Sequence, residues 1–461
     1  MSDDRKRDFG GLYRGIAMTG LVLILAVNLP GHMTTDSIIQ LAEGRADAQR
    51  SFNPAFMSWL LGRLDSLLAG TSLFVALNAG AFFASLIALS RLAPRTHWLA
   101  AVLIVLALLT PQLLIYQGAV WKDVMFANFA IAGTVCLAFA ADRWSQVRSR
   151  FALLAGAALL LAIAALVRQN GVLALLAGAA GLILALRSRS GWKTGLAAGL
   201  GLVAAGSAVI LLAGATLHRA LPQLDPSTSG AGLRIIQHFD IIGVLARDPQ
   251  ASLEPLESRA PKAADALRDA TAFYSPERVD TLDQAKGIGD YVWTAPEGVV
   301  PATWANLVIR EFPDYASHRL EVFRQIFLTP DVRACLPVTT GVQGPEAVLA
   351  ELDLPSRQDR RDNQLFNYAT WLYGTPVMSH LPYALVSLAT IVLLVLRGRP
   401  SDFVMAGLQA GALAFAGSFL VIALACDYRY LYFLDLAAIT GVIHLALDPS
   451  GLGRRFWRRP S

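Results

Sequence analysis

Ten long apolar runs decide what this chain can become, and the first nine carry no Asp, Glu, Lys or Arg. A bilayer-spanning helix needs about 20 mostly apolar residues. The runs are centred on 15–30, 71–90, 98–116, 124–141, 151–167, 171–186, 194–216, 376–396, 403–425 and 431–447. Only 16% of the 461 residues are charged, against about a quarter in a soluble domain. The expected class is therefore an all-α polytopic membrane protein with about ten transmembrane helices. In the last run Asp435 and His444 stand out. An intramembrane carboxylate is costly and needs a partner, so Asp435 is expected to pair with a group on a neighbouring helix.

The basic residues fix the orientation. Arg5, Lys6, Arg7, Arg14, Arg91, Arg95, Arg143, Arg148, Arg150, Arg187, Arg189, Lys193, Arg397, Arg399, Arg454, Arg455, Arg458 and Arg459 all fall in one alternating set of loops and tails. Basic loops face the cytoplasm, so both termini are expected to be cytoplasmic. The pI near 9.2 then reflects orientation and contact with anionic lipid, not nucleic-acid binding. Lys122, Arg168 and Arg429 break the pattern. Each sits in a short turn on the opposite face, in Trp121-Lys122-Asp123, Arg168-Gln169-Asn170-Gly171 and Asp427-Tyr428-Arg429-Tyr430. A cation placed against the topological bias at the mouth of a helix pair points to an anionic ligand, and a lipid-linked phosphate suits that position.

Three regions follow from this topology. Residues 1–216 form an N-terminal transmembrane module whose first outer loop covers 31–70. Residues 217–375 form an outer, mainly helical domain. Residues 376–461 form the C-terminal transmembrane helices and a cytoplasmic tail. The first run follows Arg5-Lys6-Arg7 but lacks a small-x-small cleavage site, so it is expected to be a retained anchor. In the first loop, Phe56, Trp59, Leu60, Leu64, Leu67 and Leu68 share one helical face, with Arg63 and Asp65 on the other. Such a helix lies in the membrane interface. Cys136, Cys335 and Cys426 show no framework spacing and read as three unpaired thiols, with a Cys335–Cys426 bridge as the alternative. No CxxC, HExxH or His cluster marks a metal site, and no glycine-rich phosphate loop or internal repeat is present. Abundant Ala, Leu and Arg suit a GC-rich bacterial genome.

Asp36, just after the first run, shares the outer face with the three cations. An early Asp in a long first loop, an interfacial helix, many spans and a late outer domain resemble the GT-C superfamily. These are integral-membrane glycosyltransferases that use polyprenyl-phosphate sugars, such as aminoarabinose transferases and protein O-mannosyltransferases. The three turn motifs, with His238-Phe239-Asp240, Tyr315 and His318-Arg319, resemble short signatures of bacterial members. The first loop lacks the tandem acidic pair of many relatives.

The resemblance implies transfer of a sugar, with inversion, from a polyprenyl-phosphate donor to a glycan, lipid or protein acceptor in the cell envelope. Asp36 would be the general base, and Lys122, Arg168 and Arg429 would bind the donor phosphate. Asp123, Asn170, Asp427 and Tyr430 would support them. Cations alone can handle a phosphate leaving group, so no cofactor is required, although a divalent cation is compatible with the site. Local readings stand beside these roles. Asp36 would cap a helix, Lys122 would pair with Asp123, Arg168 would cap its hairpin, and Asp427 would pair with Arg429. Trp121, Tyr430 and Tyr432 would be interface aromatics. A polysaccharide polymerase or ligase using lipid-diphosphate donors is the alternative function. A lipid or glycan transporter fits less well, since nine spans lack charge.

Overall fold

The computed structural model describes residues 8–224 and 230–450. Arg5, Lys6, Arg7, Arg454, Arg455, Arg458 and Arg459 lie outside the described residues. Helices dominate: α1 (Gly10–Asn28), α2 (Thr35–Ala46), α3 (Ala55–Leu67), α4 (Ser72–Leu89), α5 (Trp98–Leu108), α6 (Pro111–Leu114), α7 (Lys122–Asp142), α8 (Val147–Val167), α9 (Val172–Ser190) and α10 (Trp192–Ala220) come first. Then follow α11 (Ala231–Leu245), α12 (Leu256–Arg259), α13 (Pro261–Asp269), α14 (Val299–Arg310), α15 (Phe312–Leu328), α16 (Glu346–Glu351), α17 (Arg360–Trp371), α18 (His380–Arg397), α19 (Pro400–Ile422) and α20 (Tyr432–Leu447). Extended pairing among the described residues is limited to isolated bridges. The chain is an all-α polytopic membrane protein.

Nine helical segments among the described residues are long and apolar enough to cross a bilayer. A tenth apolar stretch, Trp98–Leu108 with Pro111–Gly118, bends by 73°. The sequence reads 98–116 as one span. Pro111 occupies the first turn of α6, where its missing N–H costs nothing, but it cannot continue α5. The break lets Tyr116 and Gln117 turn into the bundle. Each of the other nine apolar runs has its helix.

The chain forms two compact units. The first comprises Met1–Leu224, Val338–Ala416 and Arg429–Ser461; the second comprises Asp225–Pro337 and Gly417–Tyr428. The stretch 217–375, expected as one outer domain, is thus divided, with residues 217–224 and 338–375 in the first unit.

In the first unit α7 is the axial helix. It packs on α4, α8, α9 and α20, and nearly every side chain from Asp123 to Ala141 is buried. Its core neighbours are aromatic: Phe126 stacks on Phe415 at 4.6 Å and meets Phe433 edge-on at 4.8 Å. A neutral polar network is threaded through this core. Gln117 and Asn128 exchange amide hydrogen bonds of 3.0 and 2.9 Å, and Gln117 also donates to the Tyr432 hydroxyl at 2.9 Å. Asp435 has the expected partner on a neighbouring helix. His380 of α18 meets its carboxylate at 2.8 Å, with both side chains fully buried.

In the second unit α11 packs on α13, α14 and α15. Its fully buried Asp240 receives Trp304 Nε1–H at 2.7 Å and pairs with Arg319 at 2.6 Å and His318 at 3.2 Å. Burial holds His318 below its usual imidazole range, against the pull of Asp240. Gly243 makes room for this ring, since a Cβ there would fall 2.2 Å from His318 Nδ1. The reading of three unpaired thiols is corrected here: Cys335 and Cys426 form a disulfide. Residue 426 is brought beside residue 335 by two backbone contacts, Cys426 N–H to Glu277 and Tyr428 N–H to Cys335. That proximity is tertiary, so spacing along the chain held no sign of it.

Candidate functional site

The first loop is tied down before it reaches Asp36. His32 exchanges backbone hydrogen bonds with Gly118 and Val120, and Met33 does so with Gly341 and Gln343. Arg361 donates to the Leu29 carbonyl at 2.7 Å, and Arg357 to the Gly31 carbonyl at 3.0 Å. Thr34, in extended backbone, is the N-cap of α2, and Ser37 closes a capping box with it. The capping reading of Asp36 is therefore corrected. Thr34 holds the cap, and Asp36 lies in the first turn with its side chain turned to a cation.

That cation is Arg429, whose guanidinium donates to Asp36 Oδ2 at 2.7 Å. The Asp36 carboxylate keeps about a third of its surface exposed, while Arg429 is 12% exposed. Arg429 belongs to the 3-10 turn Tyr428–Leu431 that leads into α20. Its guanidinium lies over Trp121 at 5.2 Å and over Tyr430 at 5.8 Å. Trp121 is oriented in turn by donating to Thr34 Oγ1 at 3.0 Å, and its ring meets Tyr116 edge-on. One aromatic seat therefore holds the cation, and the cap of α2 holds the seat.

Lys122 and Asp123 open α7. Lys122 reaches across to Asn53 Oδ1 at 2.8 Å. Asp123, only 3% exposed, is paired with Arg168. Arg168 ends α8 in extended backbone, where a cation complements the helix dipole, and lies over Tyr430 at 5.1 Å. These contacts reach beyond the local turns. Lys122 and Arg168 each engage a residue on a different element, and Arg429 engages one nearly 400 positions away in sequence.

The four residues act on one another electrostatically. Burial works to raise the Asp36 carboxyl, but the charge of Arg429, then Lys122, the Arg429 hydrogen bond and Arg168 outweigh it. Its pKa lies below the ordinary carboxylate value, so it stays ionised across the physiological range. Among the residues gathered here, the cations Lys122, Arg168 and Arg429 face the carboxylates Asp36 and Asp123.

Asn170, Asp427 and two further carboxylates of the first loop, Glu43 and Asp47, take other places. Asn170 lies in the 3-10 turn Gln169–Gly171 directly after Arg168. Asp427 belongs to the second unit, where it is buried. Glu43 is fully buried and accepts the backbone N–H groups of Arg50 and Ser51 and the Ser58 hydroxyl at 2.6 Å. It staples the loop between α2 and α3. Asp47 pairs with Arg63 at the surface. Thr34, Asn53 and Tyr116 were not anticipated. Neutral loop residues and a tyrosine in an apolar run carry no signal until the fold places them. His380 was likewise overlooked.

No protein-family model matches the chain, and no curated protein matches it. Among solved structures it is similar to archaeal oligosaccharyltransferase AglB from Archaeoglobus fulgidus, in a complex with an inhibitory peptide and a dolichol-phosphate. That match has 13% identity and a TM-score of 0.43, and covers 97% of this chain and 52% of that one. It is also similar to the Archaeoglobus fulgidus oligosaccharyltransferase complexed with zinc and sulfate. There the identity is 13% and the TM-score 0.44, over 94% of this chain and 48% of that one. The chain spans about half the length of these proteins.

Proposed function

We infer that the protein is a membrane glycosyltransferase that moves a sugar from a polyprenyl-phosphate donor to an envelope acceptor with inversion. The observation that carries this reading is the gathering of Lys122, Arg168 and Arg429 around Asp36, at the ends of apolar spans. A phosphate on a lipid presents its charge at that depth. Arginine's planar fork suits bidentate contact with phosphate oxygens.

The chemistry needs two opposed groups. The acceptor oxygen attacks the anomeric carbon, the carbon–oxygen bond to phosphate breaks, and polyprenyl phosphate leaves with the bonding pair. Lys122, Arg168 and Arg429 stabilise the charge that grows on it; losing one such donor costs roughly 10²–10³ in turnover. Asp36 accepts the acceptor's hydroxyl proton. Asp36 is tied to Arg429, which keeps it ionised but weakly basic. Donor phosphate competes for Arg429, and the freed carboxylate gains basicity when substrate is present. Trp121 and Tyr430 keep Arg429 in place through the exchange.

The site is assigned to the outer face of a bacterial cytoplasmic membrane, with both termini inside. The disulfide supports this, since such bonds persist in oxidising compartments and Cys426 precedes Arg429 by three residues. The test is single turnover in nanodiscs with a radiolabelled polyprenyl-phosphate hexose, following release of polyprenyl phosphate. Wild-type protein is expected to release it and the Asp36→Asn variant to be at least about 10²-fold slower. Equal rates for the two would remove Asp36 from the chemistry, and no release with any polyprenyl-monophosphate sugar would remove the donor class.

A further inference from the structure

A second lipid-shaped feature lies at the far end of α8 from Arg168. A groove of about 510 Å³ runs between α8 and α10. Along α8 it extends from Arg150 through Leu154 to Ala158, about 12 Å at 1.5 Å per residue. Along α10 it extends from Thr194 to Ala205, about 16 Å by the same rise. Those lengths correspond to one leaflet, half of a hydrocarbon core roughly 30 Å thick. Beyond the end formed by Trp144, Arg150, Phe151 and Thr194 the walls are Leu, Ala and Gly.

Polar character is confined to one end. There Arg150 lies over the Trp144 ring at 4.6 Å and over the Phe151 ring at 5.0 Å. It also donates to the Trp144 carbonyl at 3.2 Å. An arginine seated between two aromatic rings, at the mouth of an apolar groove, matches a phosphate head on an acyl tail. Its surroundings reinforce the charge. Segments 139–150 and 187–193 hold Arg143, Arg148, Arg150, Arg187, Arg189 and Lys193 against the single acid Asp142. Such a basic rim attracts anionic lipid at about the strength of one favourable contact per cation. Arg168 is about 27 Å from Arg150 along α8, so this groove faces the leaflet opposite the cluster around Asp36.

We propose that this groove is a binding site for one anionic phospholipid of that opposite leaflet, with its phosphate on Arg150 and one acyl chain between α8 and α10. The site is independent of the catalytic reading and stands whether or not the cluster transfers sugar. Gly201 lines the groove, and a Cβ added there meets open space. Gly201→Leu therefore projects a side chain into the groove from a position with room for its Cβ. Arg150→Gln removes the head contact at a half-buried helix start and leaves the walls intact.

The experiment is native mass spectrometry of the full chain, extracted from nanodiscs with equal phosphatidylglycerol and phosphatidylcholine of matched chains. Wild type is expected to retain one phosphatidylglycerol, with a preference of roughly fivefold over phosphatidylcholine. Arg150→Gln should abolish that preference, and Gly201→Leu should lose the retained lipid whatever its head. A thermal melt accompanies each variant; should Gly201→Leu unfold, Arg150→Gln alone decides. Undiminished preference in Arg150→Gln overturns the proposal. So does preferential retention of polyprenyl phosphate over phosphatidylglycerol when both are supplied, which would make the groove a donor-lipid site.

Discussion

Arg429 donates to the Asp36 carboxylate, and that contact sets what their replacements should do. Asp36→Asn keeps size and part of the hydrogen bonding but removes the basic oxygen. It is expected to keep expression and donor affinity while slowing transfer by about 10²-fold or more. Retention of over half the wild-type rate in single turnover would place the base elsewhere. Arg429→Ala should weaken donor use, and Arg429→Lys should restore it only in part, because lysine lacks the planar fork. The pH dependence of stability has a definite sign. The folded-state pKa of Asp36 lies below its unfolded value. The stability it adds is therefore fully present above the unfolded value of about 3.9, and is lost as pH falls through the folded value. The difference in melting temperature between wild type and Asp36→Asn should be constant from pH 5 to 8 and shrink only in stronger acid. A difference that changes within that neutral window would contradict the Asp36–Arg429 pairing. Lys122, Arg168 and Arg429 stood out in the sequence because topology gives each an expected absence of positive charge to violate, and Asp36 stood out by its place just after the first span. Asn53 and Thr34, which hold Lys122 and Trp121, violate nothing and were invisible.

At the scale of the elements, apolar length made the spans readable and left their interruptions and contacts unread. Pro111 was in view, yet an apolar run reads as continuous through it; only the 73° bend shows that the run ends in a turn. The first-loop helix shows the same limit. Its apolar face of Phe56, Trp59, Leu60, Leu64, Leu67 and Leu68 stays half-buried or exposed, while Met57, Ser58, Leu61 and Gly62 form a second, buried face that the sequence did not mark. That second face is small because α2 approaches it closely. A Cβ at Gly44 would fall 2.1 Å from the Ser58 carbonyl oxygen. Gly44→Ala should therefore push α3 away, and with it the segment carrying Asn53, lowering activity more than a surface substitution such as Arg63→Ala. A turnover assay of the two variants checks this. The His380–Asp435 pair joins α18 to α20 inside the membrane. His380→Ala leaves a buried carboxylate without that partner, a change expected to cost about 3–5 kcal/mol. A drop of several degrees in the melting temperature in detergent is the expected outcome; an unchanged melt would mean that the pair adds nothing to stability.

For the whole molecule, sidedness is the property on which the functional reading rests, and two independent features bear on it. The distribution of Arg and Lys predicts a cytoplasmic position for one set of loops. The Cys335–Cys426 bond points to an oxidising compartment for the opposite set. The two agree, although the first depends on loop charge and the second on redox chemistry. Together they lead to a labelling experiment with a sharp outcome. In intact cells Cys335 and Cys426 should resist a membrane-impermeant maleimide until an impermeant reductant is added, and should then both react. Cys136, within the membrane-spanning α7, should not follow them. The bond closes a loop of 91 residues, so removing it by Cys335→Ser with Cys426→Ser should destabilise the second unit by roughly 2–5 kcal/mol. The same variant should leave the Asp36–Arg429 pair intact, since both of those residues belong to the first unit. Cysteines that react without reduction would remove the disulfide. Cysteines that react only after permeabilisation would reverse the orientation, placing the Asp36 cluster on the cytoplasmic face and the acceptor with it.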